Sequence, residues 1–118
     1  MLDPSRILRR CDALARHSEL PGGLTRVFLS PQSRAAADDV LQWMREAGMQ
    51  ARLDPIGNVV GRYEAERGGA ACLLLGSHLD TVRDAGRYDG MLGVVTAIEC
   101  VAALRDDGVR LPFAIEVV

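Results

Sequence analysis

Ala71-Cys72-Leu73-Leu74-Leu75, the connection Gly76 to Gly90, the segment Met91 to Gly108, and Leu111-Pro112-Phe113-Ala114-Ile115-Glu116-Val117-Val118 form the stretch that decides the fold. The first five residues are a continuous apolar run, the composition of a strand buried on both faces. The connection from Gly76 to Gly90 is polar and has little periodicity. Met91, Val94, Val95, Ile98, Val101 and Ala102 then recur at helical spacing, and the stripe ends near Asp107-Gly108. Leu111 to Val118 is apolar again, with Pro112 near its start. A buried strand, a helix and another buried strand predict an α/β sheet with helices on its faces.

Upstream, the pattern extends to α-α-β-β-β-α-β. Asp3-Pro4 reads as an N-cap and first helical residue, followed by the stripe Ile7, Leu8, Cys11, Leu14 and Ala15 to about His17. Pro21-Gly22-Gly23 breaks the chain, and Leu24 to Leu29 reads as a loop or short strand. Ser30-Pro31 repeats the cap signal. Ala36, Val40, Trp43, Met44 and Ala47 make a second stripe, with Gly48 at the position that ends a helix. Met49 to Leu53 and Asn58 to Tyr63 read as strands joined by the turn sequence Asp54-Pro55-Ile56-Gly57. The last strand runs to Val118 without a polar tail, so the expectation is a chain that is cut rather than finished.

The 118 residues are 48% hydrophobic and 25% charged, which excludes disordered and low-complexity classes. The formal charge of −2 gives no electrostatic case for nucleic acid or an anionic membrane. All 14 basic residues are arginine, which excludes a Schiff-base or phosphate-loop lysine. Cys11, Cys72 and Cys100 are odd in number and not at CxxC spacing. Two of them fall on apolar faces, so they read as buried free thiols in a reducing, cytoplasmic compartment. No apolar signal segment opens the chain, and no run approaches the ~20 residues that cross a bilayer.

The chemistry lies in Gly76-Ser77-His78-Leu79-Asp80-Thr81-Val82 and Gly86-Arg87-Tyr88-Asp89-Gly90, just past the carboxyl end of a strand, where open α/β sheets bind ligands. In extended backbone His78 and Asp80 project from one face. An imidazole with carboxylates is a ligand set for zinc or manganese. Asp89 is a second carboxylate able to return to the same point, and Asp80 suits the role of orienting the histidine. Plainer readings stand beside these. His78 is a polar loop residue, Asp89 a helix cap, Asp80-Thr81 a turn, or Gly90 and Gly93 a cradle for an anion on free N–H groups.

These two motifs, with an eleven-residue interval between His78 and Asp89, closely resemble the signature of the metal-dependent amidohydrolases that include allantoate amidohydrolase and N-carbamoyl-L-amino-acid hydrolase. That group lies within the superfamily of aminoacylases and di-zinc carboxypeptidases. Leu24-Thr25-Arg26, Trp43 to Met49, Asp54 through Gly57 to Arg62, Gly93-Val94-Val95 and Glu99 extend the resemblance over essentially the whole chain. Ala85 departs from a frequent glycine. The resemblance implies the N-terminal portion of a three-layer, zinc-peptidase-like catalytic domain, a mixed sheet with helices on its faces. It implies His78 as ligand of one metal, Asp89 as the carboxylate bridging two, and Asp80 as the catalytic aspartate behind His78. It also implies that a general-base glutamate, further ligands and a dimerising lid domain lie outside residues 1–118, so that this chain alone holds metal weakly or not at all and is inactive.

The reading is therefore metal-dependent hydrolysis of a linear ureido or carbamoyl amide by a longer, homodimeric parent with two divalent ions, zinc or manganese. Its partner is a small-molecule substrate, with no nucleic acid and no membrane. A non-catalytic α/β anion-binding module, and a peptidase or aminoacylase of the same superfamily, are the alternatives.

Overall fold

A computed structural model describes all residues 1–118, and the element order is the one the sequence predicts. Helix α1 spans Pro4–Ala15, α2 Pro31–Glu46 and α3 Met91–Asp106. Strands are β1 Gln50–Leu53, β2 Val59–Tyr63, β3 Cys72–Leu75 and β4 Ala114–Val117. Both Pro-started helices are capped as read. The Asp3 carboxylate accepts from the Arg6 N–H at 3.1 Å, and the Ser30 hydroxyl accepts from the Ser33 N–H at 3.0 Å. Between β1 and β2 the Asp54 side chain accepts the backbone N–H groups of Ile56, Gly57 and Asn58, each at 2.9 Å, which closes the turn.

The sheet is mixed, in the order β1-β2-β4-β3. β1 and β2 run antiparallel, as do β2 and β4, whereas β3 and β4 are parallel neighbours bridged by α3. Alternation puts Ala51, Leu53, Val59, Gly61, Tyr63, Ile115, Val117 and Leu75 on one face. That face meets α2 and α3, and most of its side chains join the core with Val40, Met44, Val95 and Ile98. Gly61 is needed there, because a Cβ would sit 2.6 Å from the Met44 sulfur. α1 packs outside α3, so these residues build two layers of a layered α/β architecture, with the opposite sheet face free of helix.

Because α3 is enclosed by the sheet and α1, its buried arc includes a charge. Glu99 is fully buried and accepts from Arg6 at 2.6 and 2.7 Å and from the Asp3 N–H at 3.1 Å. The Arg6 hydrogen bond holds the Glu99 carboxyl below its ordinary pKa, against the opposing effect of desolvation.

Several expectations are corrected. β3 is not buried on both faces. Leu73 is 46% and Leu74 63% exposed, because β3 is an edge strand with β4 on one side only. An apolar run reports two-sided burial only when both neighbours and both layers are present. Cys11 is buried, but Cys72 and Cys100 are exposed, for Cys72 lies on that same edge. Residues 24–29 are the loop rather than the short strand that the reading also allowed, α1 ends at Ala15 rather than about His17, and β4 begins at Ala114. No helix is long and apolar enough to cross a membrane.

Candidate metal centre

The loop after β3 is held by a ladder of bonds to residues 24–26. The Thr81 N–H donates to the Arg26 carbonyl at 2.9 Å, and the Arg26 N–H donates to the Thr81 hydroxyl at 2.9 Å. The Asp84 N–H donates to the Thr25 hydroxyl at 2.8 Å, and the Ala85 N–H to the Leu24 carbonyl at 2.7 Å. A long polar connection is thereby fixed without secondary structure of its own. At the far end of the loop the Ser77 hydroxyl donates to the Gly90 carbonyl at 2.7 Å, which draws the start of α3 towards the strand end.

His78 and Asp89 meet across this loop. The Asp89 carboxylate lies 3.5 Å from His78 Nε2, and both side chains are about half exposed. His78 Nδ1 is 2.8 Å from the Asp80 carbonyl oxygen. A carbonyl oxygen only accepts, so the geometry assigns the proton to Nδ1 and leaves the Nε2 lone pair facing Asp89. Two electron-rich groups directed at each other call for a cation between them, either a proton on the ring or a metal ion. The Asp80 carboxylate stands 3.7 Å from Nδ1. The atom that orients the ring in this chain is thus the Asp80 main-chain oxygen, with the carboxylate just behind it.

Gly90 makes this approach possible. It is the N-cap of α3, at φ +82°, and a Cβ there would lie 2.4 Å from His78 Cε1 and 2.6 Å from the His78 carbonyl oxygen. No side chain caps α3, so Asp89 is not the helix cap that the plainer reading allows. Its carboxylate is left to face the histidine.

The donor chemistry fits a divalent ion but supplies half of a site. Two ligand-type side chains converge, and no group of three His, Cys, Asp or Glu residues does so. Zinc sites need about four ligands. A cavity of about 110 Å³ adjoins the loop, lined by Phe28, Asn58, Ser77, His78, Asp80 and Val94 among others. Small-molecule sites usually enclose roughly 300–1,000 Å³. The larger groove, about 790 Å³ between residues 15–24 and 84–87, contains no histidine and no converging ligand pair.

One residue with a large part in the site is marked in the sequence only by the resemblance of Leu24-Thr25-Arg26, which says nothing of its burial. Arg26 is fully buried and holds the loop from below. A lone arginine in an aperiodic segment gives no pattern that marks it as internal.

Comparisons with known proteins agree with the resemblance. No family model matches the chain. Allantoate deiminase 1 of Glycine max is 46% identical over 95 residues, 80% of this chain and 20% of that protein. The N-carbamoyl-L-amino acid amidohydrolase of Geobacillus stearothermophilus is 39% identical over 119 aligned positions, 100% of this chain and 29% of that protein. A crystal structure of a hydantoinase/carbamoylase family amidase from Burkholderia ambifaria superposes with a TM-score of 0.91 at 37% identity, covering 98% of this chain and 29% of that one. The fold is therefore that of the hydantoinase/carbamoylase amidases. Within that class the chain is homologous to allantoate deiminases and N-carbamoyl-L-amino-acid amidohydrolases, and it spans between a fifth and a third of the length of these relatives.

Proposed function

We propose that residues 1–118 are the N-terminal part of the catalytic domain of a metal-dependent amidohydrolase acting on a linear ureido or carbamoyl amide, of the allantoate or N-carbamoyl-L-amino-acid type. The observation that carries this reading is His78 Nε2 lying 3.5 Å from the Asp89 carboxylate, with Nδ1 2.8 Å from the Asp80 carbonyl oxygen. His78 would hold one divalent ion and Asp89 would bridge two, zinc or manganese. When bound, such ions polarise the scissile carbonyl and bring the pKa of water towards about 7. Asp80 fixes the ring and its tautomer, and Gly90 keeps the ligand pair close. The remaining ligands, a general base and a dimerising lid would come from outside these residues, as the half-complete ligand set and small cavity support. The parent is a cytoplasmic homodimer in this reading.

The test pairs metal content with turnover of allantoate and N-carbamoyl amino acids in a full-length protein carrying this segment. His78→Ala should weaken one metal and Asp89→Asn should lower the occupancy of both, each abolishing hydrolysis. Asp80→Asn keeps the main-chain carbonyl on Nδ1 and removes only the carboxylate charge 3.7 Å away, so it should cost less than either ligand change, at most about tenfold. Full metal content and turnover in Asp89→Asn would refute the assignment.

A further inference from the structure

Arg26 is one of two charged side chains fully buried in this chain, and it has no carboxylate in hydrogen-bond contact. Its Nε donates to the Leu79 carbonyl at 2.9 Å, and its Nη1 to the carbonyls of Leu14 and His17 at 2.7 and 2.8 Å. Its Nη2 lies 2.8 Å from the Met91 sulfur. Its backbone exchanges two bonds with Thr81. Burial disfavours the charged guanidinium, and the nearby Asp80 charge, which is not in hydrogen-bond contact, offsets this only in part. What only the planar fork supplies is several donors at once in fixed directions.

Those directions are informative. Leu79 and Thr81 flank Asp80, whose carbonyl fixes the proton on His78 Nδ1. Met91 follows Asp89 and Gly90. The guanidinium therefore touches both segments that carry the facing pair, while its contacts to Leu14 and His17 anchor it to the end of α1.

We propose that Arg26 is a positioning residue for the His78–Asp89 pair: it holds the 79–81 strap so that the Asp80 carbonyl fixes the tautomer that turns Nε2 towards Asp89. The inference rests on the metal-site reading only for the use made of that lone pair; the tautomer itself is independent of it.

The test uses the 118-residue chain labelled with ¹⁵N at histidine, at about pH 8, above the ordinary histidine pKa. Two-bond proton–nitrogen correlations report which ring nitrogen of His78 carries the proton. Arg26→Lys, Thr81→Val and Val101→Ala are compared. The last removes a buried methyl pair from α3, away from the loop, and lowers the melting temperature for purely structural reasons. The wild type should show the Nδ1–H tautomer. Arg26→Lys should show a mixture of the two tautomers. Thr81→Val, the milder change should Arg26→Lys not fold, should move the tautomer ratio in the same direction. Val101→Ala should lose stability with the tautomer unchanged. If the variants of Arg26 and Thr81 that fold keep the wild-type tautomer, or if Val101→Ala shifts it equally, the positioning role is overturned. Failure of the metal reading would show instead in the full-length protein, as full metal content in Asp89→Asn, and the tautomer comparison would still decide the role of Arg26.

Discussion

Gly90→Ala is the substitution whose cost can be worked most directly from the geometry. Gly90 sits at φ +82° and ψ −50°, where a residue with a Cβ is strained by about 1–3 kcal/mol. The new methyl would also lie 2.4 and 2.5 Å from His78 Cε1 and Nδ1, and 2.6 Å from the His78 carbonyl oxygen. The ring can rotate away, but that breaks its bond to the Asp80 carbonyl, worth about 0.5–1.5 kcal/mol. The carbonyl can move only with the backbone. The sum is a loss of roughly 2–4 kcal/mol. Urea unfolding followed by Trp43 fluorescence would show it as a midpoint lower by roughly 1–2 M. Gly86→Ala is the control, since nothing lies within 4 Å of a Cβ there, and it should stay within about 0.5 kcal/mol of wild type. An unchanged midpoint for Gly90→Ala, with the His78 resonances unmoved, would mean that the strand end and the helix start are not locked together as described.

Glu99→Gln should destabilise the chain by about 1–3 kcal/mol, less than the loss of a fully buried pair, because the Arg6 side chain left without its anion is 36% exposed. The pH dependence has a definite sign. Arg6 holds the Glu99 pKa below the ordinary 4.5, so its stabilisation is complete above that pH and declines as pH falls through the folded value. Acid titration of stability by circular dichroism should therefore show a shallower acid limb in Glu99→Gln than in wild type; identical limbs would remove the ion pair from the account. The open edge at β3, with Leu74 63% exposed, should make the chain self-associate as concentration rises, and Leu74→Lys should restore a monomer. Sedimentation showing a wild-type monomer at every concentration tested would contradict this.

The parts legible in the sequence are those governed by local chemistry. Asp3-Pro4 and Ser30-Pro31 start helices because a side-chain oxygen and a fixed φ act within one turn, and Asp54 closes its turn on the next four residues. His78, Asp80 and Asp89 stand out by residue type and spacing, and the structure sets the two carboxylates 3.7 and 3.5 Å from opposite nitrogens of the His78 ring. What stays hidden depends on partners distant in sequence. The Ala71–Leu75 run looks the same whether its strand is central or at an edge, so the exposure of Leu74 and Cys72 cannot be read from it. Glu99 sits among apolar residues at helical spacing, and its burial makes sense only once α1 delivers Arg6, 93 residues away. The main-chain role of Asp80 towards His78 is equally invisible, since every residue has a carbonyl.

Arg26 and Glu99 are the only buried charged or polar residues, and both bear on α3. Arg26 meets its first residue, Met91, while Glu99, eight residues on, is tied to the start of α1. Apolar packing tolerates sliding of one helix along another by small amounts, because hydrophobic contacts are not directional. A bidentate arginine–carboxylate pair does not, since its bonds at 2.6 and 2.7 Å fail with small displacements. With α1 fixed on α3 by Glu99, and Arg26 reaching the carbonyls at the end of α1, the start of α3 is set against the 79–81 strap from both sides. The separation of His78 and Asp89 is then determined by charges that never touch either residue. Buried ions often add little net stability over apolar replacements. Their effect here is a fixed separation of His78 and Asp89 rather than a large contribution to the energy of the fold.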